Sequence, residues 1–203
     1  MSGIGLGTSE VNFDIRGIKE RSSRLLSCRT SYSDWNMKQL PKQSWYNDWR
    51  PDFYDLGLTY NNQFDDKNNL NIYSYHSLDR FSFNQNEKYS YNNYNASVKW
   101  RRVFNEKLAG YFSSGFDRYD YKNTESVDDF SAFRLSFDIS QVFVKTDFVY
   151  DWTGNNKMDF GFKSILYNIN PGTYDPSGEG SLVQRDVLQK DKGLESAIYI
   201  GDE

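Results

Sequence analysis

The chain is poor in most of what carries chemistry or crosses a bilayer as a helix. It has one cysteine and one histidine. The single thiol, Cys28, forms no internal disulfide, and no CxxC pair offers a metal site; it reads as a small residue on a strand face. His76 alone builds no nucleophilic triad, because geometry must place an acid or base before its pKa matters. No run of about 18 apolar residues exists, so no transmembrane helix is expected. The start, Met1 to Gly7, lacks a charged beginning, an apolar core and a cleavage site, so no signal peptide is visible. Positive charge is in deficit as well. The net charge of -4 argues against nucleic-acid binding, which usually shows a basic stripe; only Lys99, Arg101, Arg102 and Lys107 cluster. Gly3, Gly5 and Gly7 alternate in an extended run and give no nucleotide-binding signal.

What is abundant is aromatic: 16 Tyr, 15 Phe and 5 Trp. A mean hydropathy of -0.81 looks too polar for a packed core, yet disordered chains are poor in aromatics. The composition therefore belongs to a chain with two unlike faces. The dominant period is two. Tyr94, Ala96, Val98 and Trp100 alternate with Asn93, Asn95, Ser97 and Lys99, which puts an apolar and a polar face on one strand. The same split appears at Tyr54, Leu56, Leu58 and Tyr60, at Val142 to Trp152, and at Val11, Phe13 and Ile15. No segment holds a helical period over three turns.

Turn signals cut these runs. Ile18–Ser23, Phe64–Asn69, Asn105–Lys107 and Thr153–Asn156 are short and rich in residues that favour hairpin turns. Between them lie longer connections at Asp34–Pro51, Asn84–Ser90, Lys122–Phe130 and Asn170–Asp191. In an antiparallel meander this order puts short turns at one end and long loops at the other, as in transmembrane β-barrels. Soluble Greek-key sandwiches tend to scramble it. The runs Leu70–Phe83, Tyr91–Phe104 and Phe133–Trp152 exceed the globular mode of about 5–6 residues and suffice for a tilted bilayer crossing. Within the last, apolar parity switches from Phe133, Leu135, Phe137 and Ile139 to Val142 and Val144, which predicts a bulge near Ser140. Aromatics gather at the short-turn end (Tyr60, Phe64, Trp100, Phe104, Tyr150, Trp152, Phe160), as an interfacial girdle does.

Candidate sites are few. Asp65-Asp66 and Asp128-Asp129 read as solvated turn and loop residues. The stretch Asp175 to Glu179 offers oxygens but lacks the spacing of a calcium loop. Four large aromatics, Trp35, Trp45, Tyr46 and Trp49, lie in or beside one long connection. They stack on a sugar ring or aromatic ligand, or they anchor the loop at the membrane or the rim. No catalytic residue, metal or cofactor is expected.

The residues carry a family resemblance. The opening GIGLGTSEVNFDIRGIKERSSRLLSCRTSYSDW (Gly3 to Trp35) resembles the early barrel of TonB-dependent outer-membrane receptors, especially those of Bacteroidetes-type bacteria. There a strand, a turn like Lys19-Glu20-Arg21-Ser22-Ser23 and a strand ending like Arg29-Thr30-Ser31-Tyr32-Ser33-Asp34 follow the plug domain; Cys28 stands where the family commonly has Gly. A second stretch, Tyr167 to Gly172 through a loop to Gly193–Glu203, is similar to the loop-and-strand pattern of those barrels. The resemblance implies a 22-stranded plugged barrel and uptake of a scarce ligand driven through TonB. Plug, TonB-contacting segment and signal peptide are absent from the sequence.

The expectation is therefore an all-β, antiparallel up-and-down meander of about nine strands, a partial transmembrane β-barrel over residues 1–203. One face meets outer-membrane lipid; the other lines a lumen or packs on a plug. Its partners would be lipid, the TonB system through the missing plug, and an unidentified small-molecule, peptide or glycan ligand. A soluble or surface β-module with a glycan-binding aromatic loop, and a porin-like channel fragment, are the alternatives. Open sheet edges are not tolerated in lipid, and the isolated chain is expected to form an open curved sheet.

Overall fold

Alternating sequences settle into strands because successive side chains point to opposite faces. The computed structural model describes residues 2–4, 8–16, 21–31, 52–84, 86–153 and 156–202, and among them all regular structure is strand. The strands are β1 (Ser2–Ile4), β2 (Thr8–Arg16), β3 (Ser22–Ser31), β4 (Asp52–Gln63), β5 (Asn68–Asn84) and β6 (Glu87–Asn105), then β7 (Leu108–Glu125), β8 (Phe133–Asp151), β9 (Lys157–Pro176), β10 (Asp186–Val187) and β11 (Asp191–Asp202). Neighbours in sequence pair antiparallel from β1 to β9, and β10 and β11 both continue the ladder along the far edge of β9. The first and last strands do not pair. The sheet is open, as expected from the sequence.

Register aligns the apolar positions into one continuous surface. Phe13 lies opposite Leu26, Leu26 opposite Leu58, and Leu58 opposite Ser74. Ser74 leads on to Ala96, Phe116, Val142, Leu166 and Leu194. Neighbouring rows add Val98, Val144 and Phe162. Small residues at Ser74 and Ser114 interrupt β5 and β7, which is why their alternation is weak in the sequence. Leu56, Leu58, Val142, Val144 and Leu166 are each more than two-fifths exposed, so nothing among the described residues covers this face. We call it the outer face. The inner face carries Asp55, Asn93, Asn95, Ser97, Lys99, Asp117, Gln141 and Lys145.

Two expectations need correction. The β7–β8 register runs unbroken from Glu125–Phe133 to Leu108–Tyr150, so no bulge lies near Ser140. The irregularity falls on β9 instead: Asp138 pairs Asn170 while Ser136 pairs Thr173. The extra chain is Pro171-Gly172, where β11 has ended at Ile169 and β10 has not begun; proline has no N–H to give a ladder. The parity switch in β8 has another cause, developed below. Secondly, β5 and β6 are separated by residues 85–86 alone, so Asn84–Ser90 is not a long loop. Lys88 to Ser90 continue the pairing with β5, and the Asn-rich segment mimics a loop signal. The other described long connections also shrink, to 126–132 and to 177–185 before β10, because β7 and β9 run on past the expected ends.

Glycines let rings lie flat on the sheet. A Cβ on Gly110 would sit 2.9 Å from the Phe104 ring and 3.0 Å from that of Phe148. These rings, with Phe112 and Phe160, form a connected aromatic belt at the short-turn end of the outer face, with Trp100 on Phe112 at 5.4 Å and Phe148 on Phe160 at 5.2 Å. Such pairs contribute about 0.5–1.5 kcal/mol each beyond area burial.

The register is directly testable. Cys28 is exposed and lies opposite Leu56 on the outer face. Leu56→Cys is expected to cross-link to Cys28 under mild oxidation, measured as loss of free thiol, while Gly57→Cys, one residue on and on the other face, stays reduced. The reverse result would mean a slip of one residue, which transposes every side chain.

Candidate functional site

The site is built from the upper ends of β5 to β8, away from the short turns. On the outer face the apolar surface ends near the row of Leu56, His76 and Tyr94, with Tyr54 and Leu78 one row higher on β4 and β5. His76 stacks on Tyr94 at 4.5 Å and meets Tyr54 edge-on at 5.4 Å, and its Nε2 is 2.8 Å from Asn92 Oδ1. Beyond that row the outer face turns polar, with Asn92, Asp120, Asp138 and Asn170 side by side in register. Arg118 bonds Asp120 at 2.7 Å and reaches Asp138 at 3.7 Å.

At the same level the inner face changes in the opposite sense. Phe81 stacks on Tyr89 at 4.7 Å and on Tyr91 at 5.7 Å. Tyr91 meets Tyr121 at 5.2 Å and Tyr119 at 6.5 Å. Phe137 closes the series on Tyr121 at 4.6 Å and Tyr119 at 6.1 Å. Phe133 and Tyr174, 4.9 Å apart, form a separate pair on β8 and β9. Six rings on four adjacent strands thus form a ladder. The parity switch in β8 follows directly. Phe133, Leu135, Phe137 and Ile139 face inward with the ladder, whereas Val142 and Val144 face outward, and the strand needs no extra residue to do both.

Below the ladder the inner face is a network of amides and carboxylates. Asn95 and Gln141 donate to the two oxygens of Asp117, Gln141 at 2.8 Å. Asn93 donates to Ser77 Oγ at 3.1 Å, and Tyr75 donates to Asp55 at 2.9 Å, where Arg29 Nε also bonds at 2.6 Å. Asn95 Oδ1 is buried without a hydrogen-bond partner. The arrangement offers flat apolar rings above fixed polar groups, the pairing that binding surfaces use to hold and orient a ligand.

Burial first, and neighbouring phenols second, push the Tyr119 and Tyr121 hydroxyls up. Burial, then the Asp55 carboxylate, raises the Asp79 carboxyl from its ordinary value. The largest effect is on Tyr89, pushed up to about 12 by its hydrogen bond to the Glu87 carboxylate. Neutral Tyr89 is the bonded form, so this interaction is fully present below the ordinary tyrosine pKa and is lost as pH rises through about 12. Glu87→Gln is expected to return Tyr89 toward an ordinary tyrosine titration, read by phenolate absorbance; an unchanged titration would remove Glu87 as the cause.

The other sequence candidates have local roles. Asp65 Oδ1 accepts from the Lys67 and Asn68 backbone N–H groups at 2.7 Å each, which closes the β4–β5 turn and lowers the Asp65 pKa, with the Asn68 side chain the first cause. Asp66 faces Arg21 at 3.6 Å. The Asp128 backbone carbonyl accepts from Ser131 N–H at 3.1 Å within its own connection. Asp175 pairs with Arg185 at 3.0 Å. Trp35, Trp45, Tyr46 and Trp49, the residues singled out as a ligand surface, lie outside the described residues. The inner ladder was missed from the sequence. Its signal was present in the shared odd numbering of Tyr89, Tyr91, Tyr119, Tyr121 and Phe137, and it emerges only once register brings the strands together.

No protein-family profile and no curated protein matches the sequence. The fold does have a likeness among solved structures. The ferric preacinetobactin receptor BauA of Acinetobacter baumannii superposes with a TM-score of 0.65 over 96% of this chain, at 12% identity. The chain spans 36% of that receptor's length. At that identity the likeness establishes the shared antiparallel strand meander alone.

Proposed function

We propose that this chain is part of the wall of a TonB-dependent outer-membrane receptor, and that the inner aromatic ladder is where its ligand is first held. The carrying observation is the double inversion along uninterrupted strands. Toward the short turns, apolar residues face out and polar residues face in; toward the other end both reverse. Lipid outside and a wetted lumen inside account for the first half. Water outside and a ligand-lining vestibule inside account for the second. The solved siderophore receptor supports the barrel at this coarse level, and the opening motif supports the TonB-dependent family; the Bacteroidetes-type subgroup draws its support from that motif alone.

In this reading the segment contributes wall and external surface. Energy coupling belongs to a plug and a TonB-contacting segment elsewhere in the parent protein. The ligand's chemistry is set by the ladder: a molecule with flat ring or sugar faces and polar groups that reach Asp117 and Gln141.

Detergent dependence tests the membrane reading. The chain is expected to fold only in micelles or bilayers, with heat-sensitive mobility on gels; a well-folded monomer in plain buffer would sink it. Genomic sequence upstream of Met1 tests the receptor reading, which requires a plug domain there and is overturned by an immediate stop and an unrelated gene.

A further inference from the structure

One carboxylate beside the aromatic ladder is left without a partner. Asp79 lies on the inner face of β5, opposite Phe53 of β4 and Tyr91 of β6, with Phe81 the next inner residue along its own strand. It is half-buried, and no hydrogen bond or ion pair reaches it among the described residues. Its acidic neighbours are engaged. Asp55 accepts from Arg29 Nε at 2.6 Å and from the Tyr75 hydroxyl at 2.9 Å; Asp117 takes the Asn95 and Gln141 amides, and Glu87 the Tyr89 hydroxyl. A charge drawn out of water is normally paired. Burial and Asp55 both raise the Asp79 carboxyl, and Arg29 only partly offsets them. That guanidinium is bonded to Asp55 and lies over the Phe53 ring at 5.3 Å.

The surroundings share one sign. Side chains alternate across the pleat, and on these strands charge alternates with them. Asp79 faces in and Arg80 out; Glu87 faces in and Lys88 out. Arg118, Lys122 and Arg134 are outer-face residues too, and Arg118 is bonded to Asp120 there. From Asp117 upward, no lysine or arginine occupies the inner face of β4 to β8; inner lysines begin lower, at Lys99 and Lys145. Glu125, the remaining inner acid at this level, lies directly opposite Glu87, where like charges repel. A concave surface of one sign concentrates ligands of the other.

We infer that the ligand held on the ladder is an organic cation, a protonated or quaternary amine borne on a flat body, and that Asp79 receives its ammonium group. The inference rests on the ladder reading above and adds the sign of the ligand's charge. A metal ion does not suit the position, because it needs several oxygens. The partners of Asp79 in register are rings, and no group of three His, Cys, Asp or Glu side chains placed to hold a metal occurs among the described residues. Rings do suit an ammonium. Its charge is drawn to aromatic faces, and the carboxylate adds a charge-assisted contact. An anion would meet Asp79, Glu87, Asp117 and Glu125 with no inner cation at that level on these strands to offset them.

The test uses three probes built on one ring: benzylammonium, benzyl alcohol and benzoate. The chain is folded in neutral detergent at neutral pH and titrated with each by calorimetry. Asp79→Asn and Tyr121→Leu are titrated beside it, with Asp159→Asn as the control, since Asp159 is an inner-face carboxylate near the short turns. Benzylammonium is expected to bind at least about tenfold more tightly than benzyl alcohol, the margin of one hydrogen bond to a charged group, and benzoate more weakly than either. Asp79→Asn is expected to bring benzylammonium to the level of benzyl alcohol, while Asp159→Asn leaves the preference in place. Added salt is expected to weaken benzylammonium and spare benzyl alcohol, a reading on the unsubstituted chain that does not depend on how any variant folds. Equal binding of the two probes overturns the inference, as does a preference that survives Asp79→Asn, or failure of all three probes to bind. If the probes bind without regard to charge and Tyr121→Leu weakens them alike, the cationic ligand falls and the ladder reading stands. The receptor reading is judged apart from both, by the plug domain upstream.

Discussion

Leu58→Arg is expected to prevent stable folding in lipid, while Thr59→Arg, the next residue, leaves it nearly intact. The two positions share a strand, a depth and a pair of neighbouring strands; they differ in the face they present. Leu58 lies between Leu26 and Ser74 on the outer face and is 44% exposed. If the proposed membrane reading holds, a guanidinium there sits in hydrocarbon, at about 2–4 kcal/mol near the bilayer midplane. Thr59 lies between Leu25 and Tyr73 on the inner face, where Asp55 and Arg29 already form a bonded pair. The check is refolding into phosphatidylcholine vesicles followed by urea titration. A soluble β-module predicts the contrary pattern, with Leu58→Arg harmless or even solubilising, so equal behaviour of the two variants would remove the lipid-facing assignment.

Gly115→Val is the second large loss expected, and it acts through packing alone. On the inner face the Phe143 ring lies across Gly115. An added Cβ there would come within 2.8 Å of Phe143 Cζ and 2.9 Å of the Ala96 carbonyl oxygen. The ring has room to rotate; the carbonyl belongs to the β6 ladder and moves only with the strand. Overpacking of this kind costs about 1–3 kcal/mol. Phe143→Ala relieves the ring clash but not the backbone one. The double variant is therefore expected to recover part of the loss and not all of it, a coupling measurable by a double-mutant cycle in urea. Full recovery would mean that the β6 carbonyl does not limit the site.

How much of this was legible in the sequence depends on how many strands a feature needs. Faces were readable wherever one strand carried clean alternation, as at Tyr94–Trp100 and Val142–Trp152, because the period of two is local. The short turns were readable too, since Asp65 and Asn105 close their turns by bonding backbone N–H groups two and three residues on. The parity switch in β8 was seen and misattributed. One strand cannot distinguish an inserted residue from a change of surroundings; only the unbroken β7–β8 register does. The aromatic ladder needed four strands at once. Asn84–Ser90 failed for a different reason: its composition is that of a loop, but cross-strand pairing with β5 and β7 overrides local preference.

The double inversion also has a mechanical meaning. On β6 the outer apolar surface ends at Tyr94, yet the strand begins at Glu87. At about 3.3 Å per residue and a tilt near 40°, the proposed membrane reading has those residues standing roughly 15–20 Å proud of the hydrocarbon. In that reading the wall would continue upward as hydrogen-bonded sheet, since β6 stays paired with β5 and β7 up to Glu87. A ligand arriving at the rings of Tyr89 and Tyr121 would meet a surface that is already shaped, and would meet it before reaching the depth at which lipid crowds the wall.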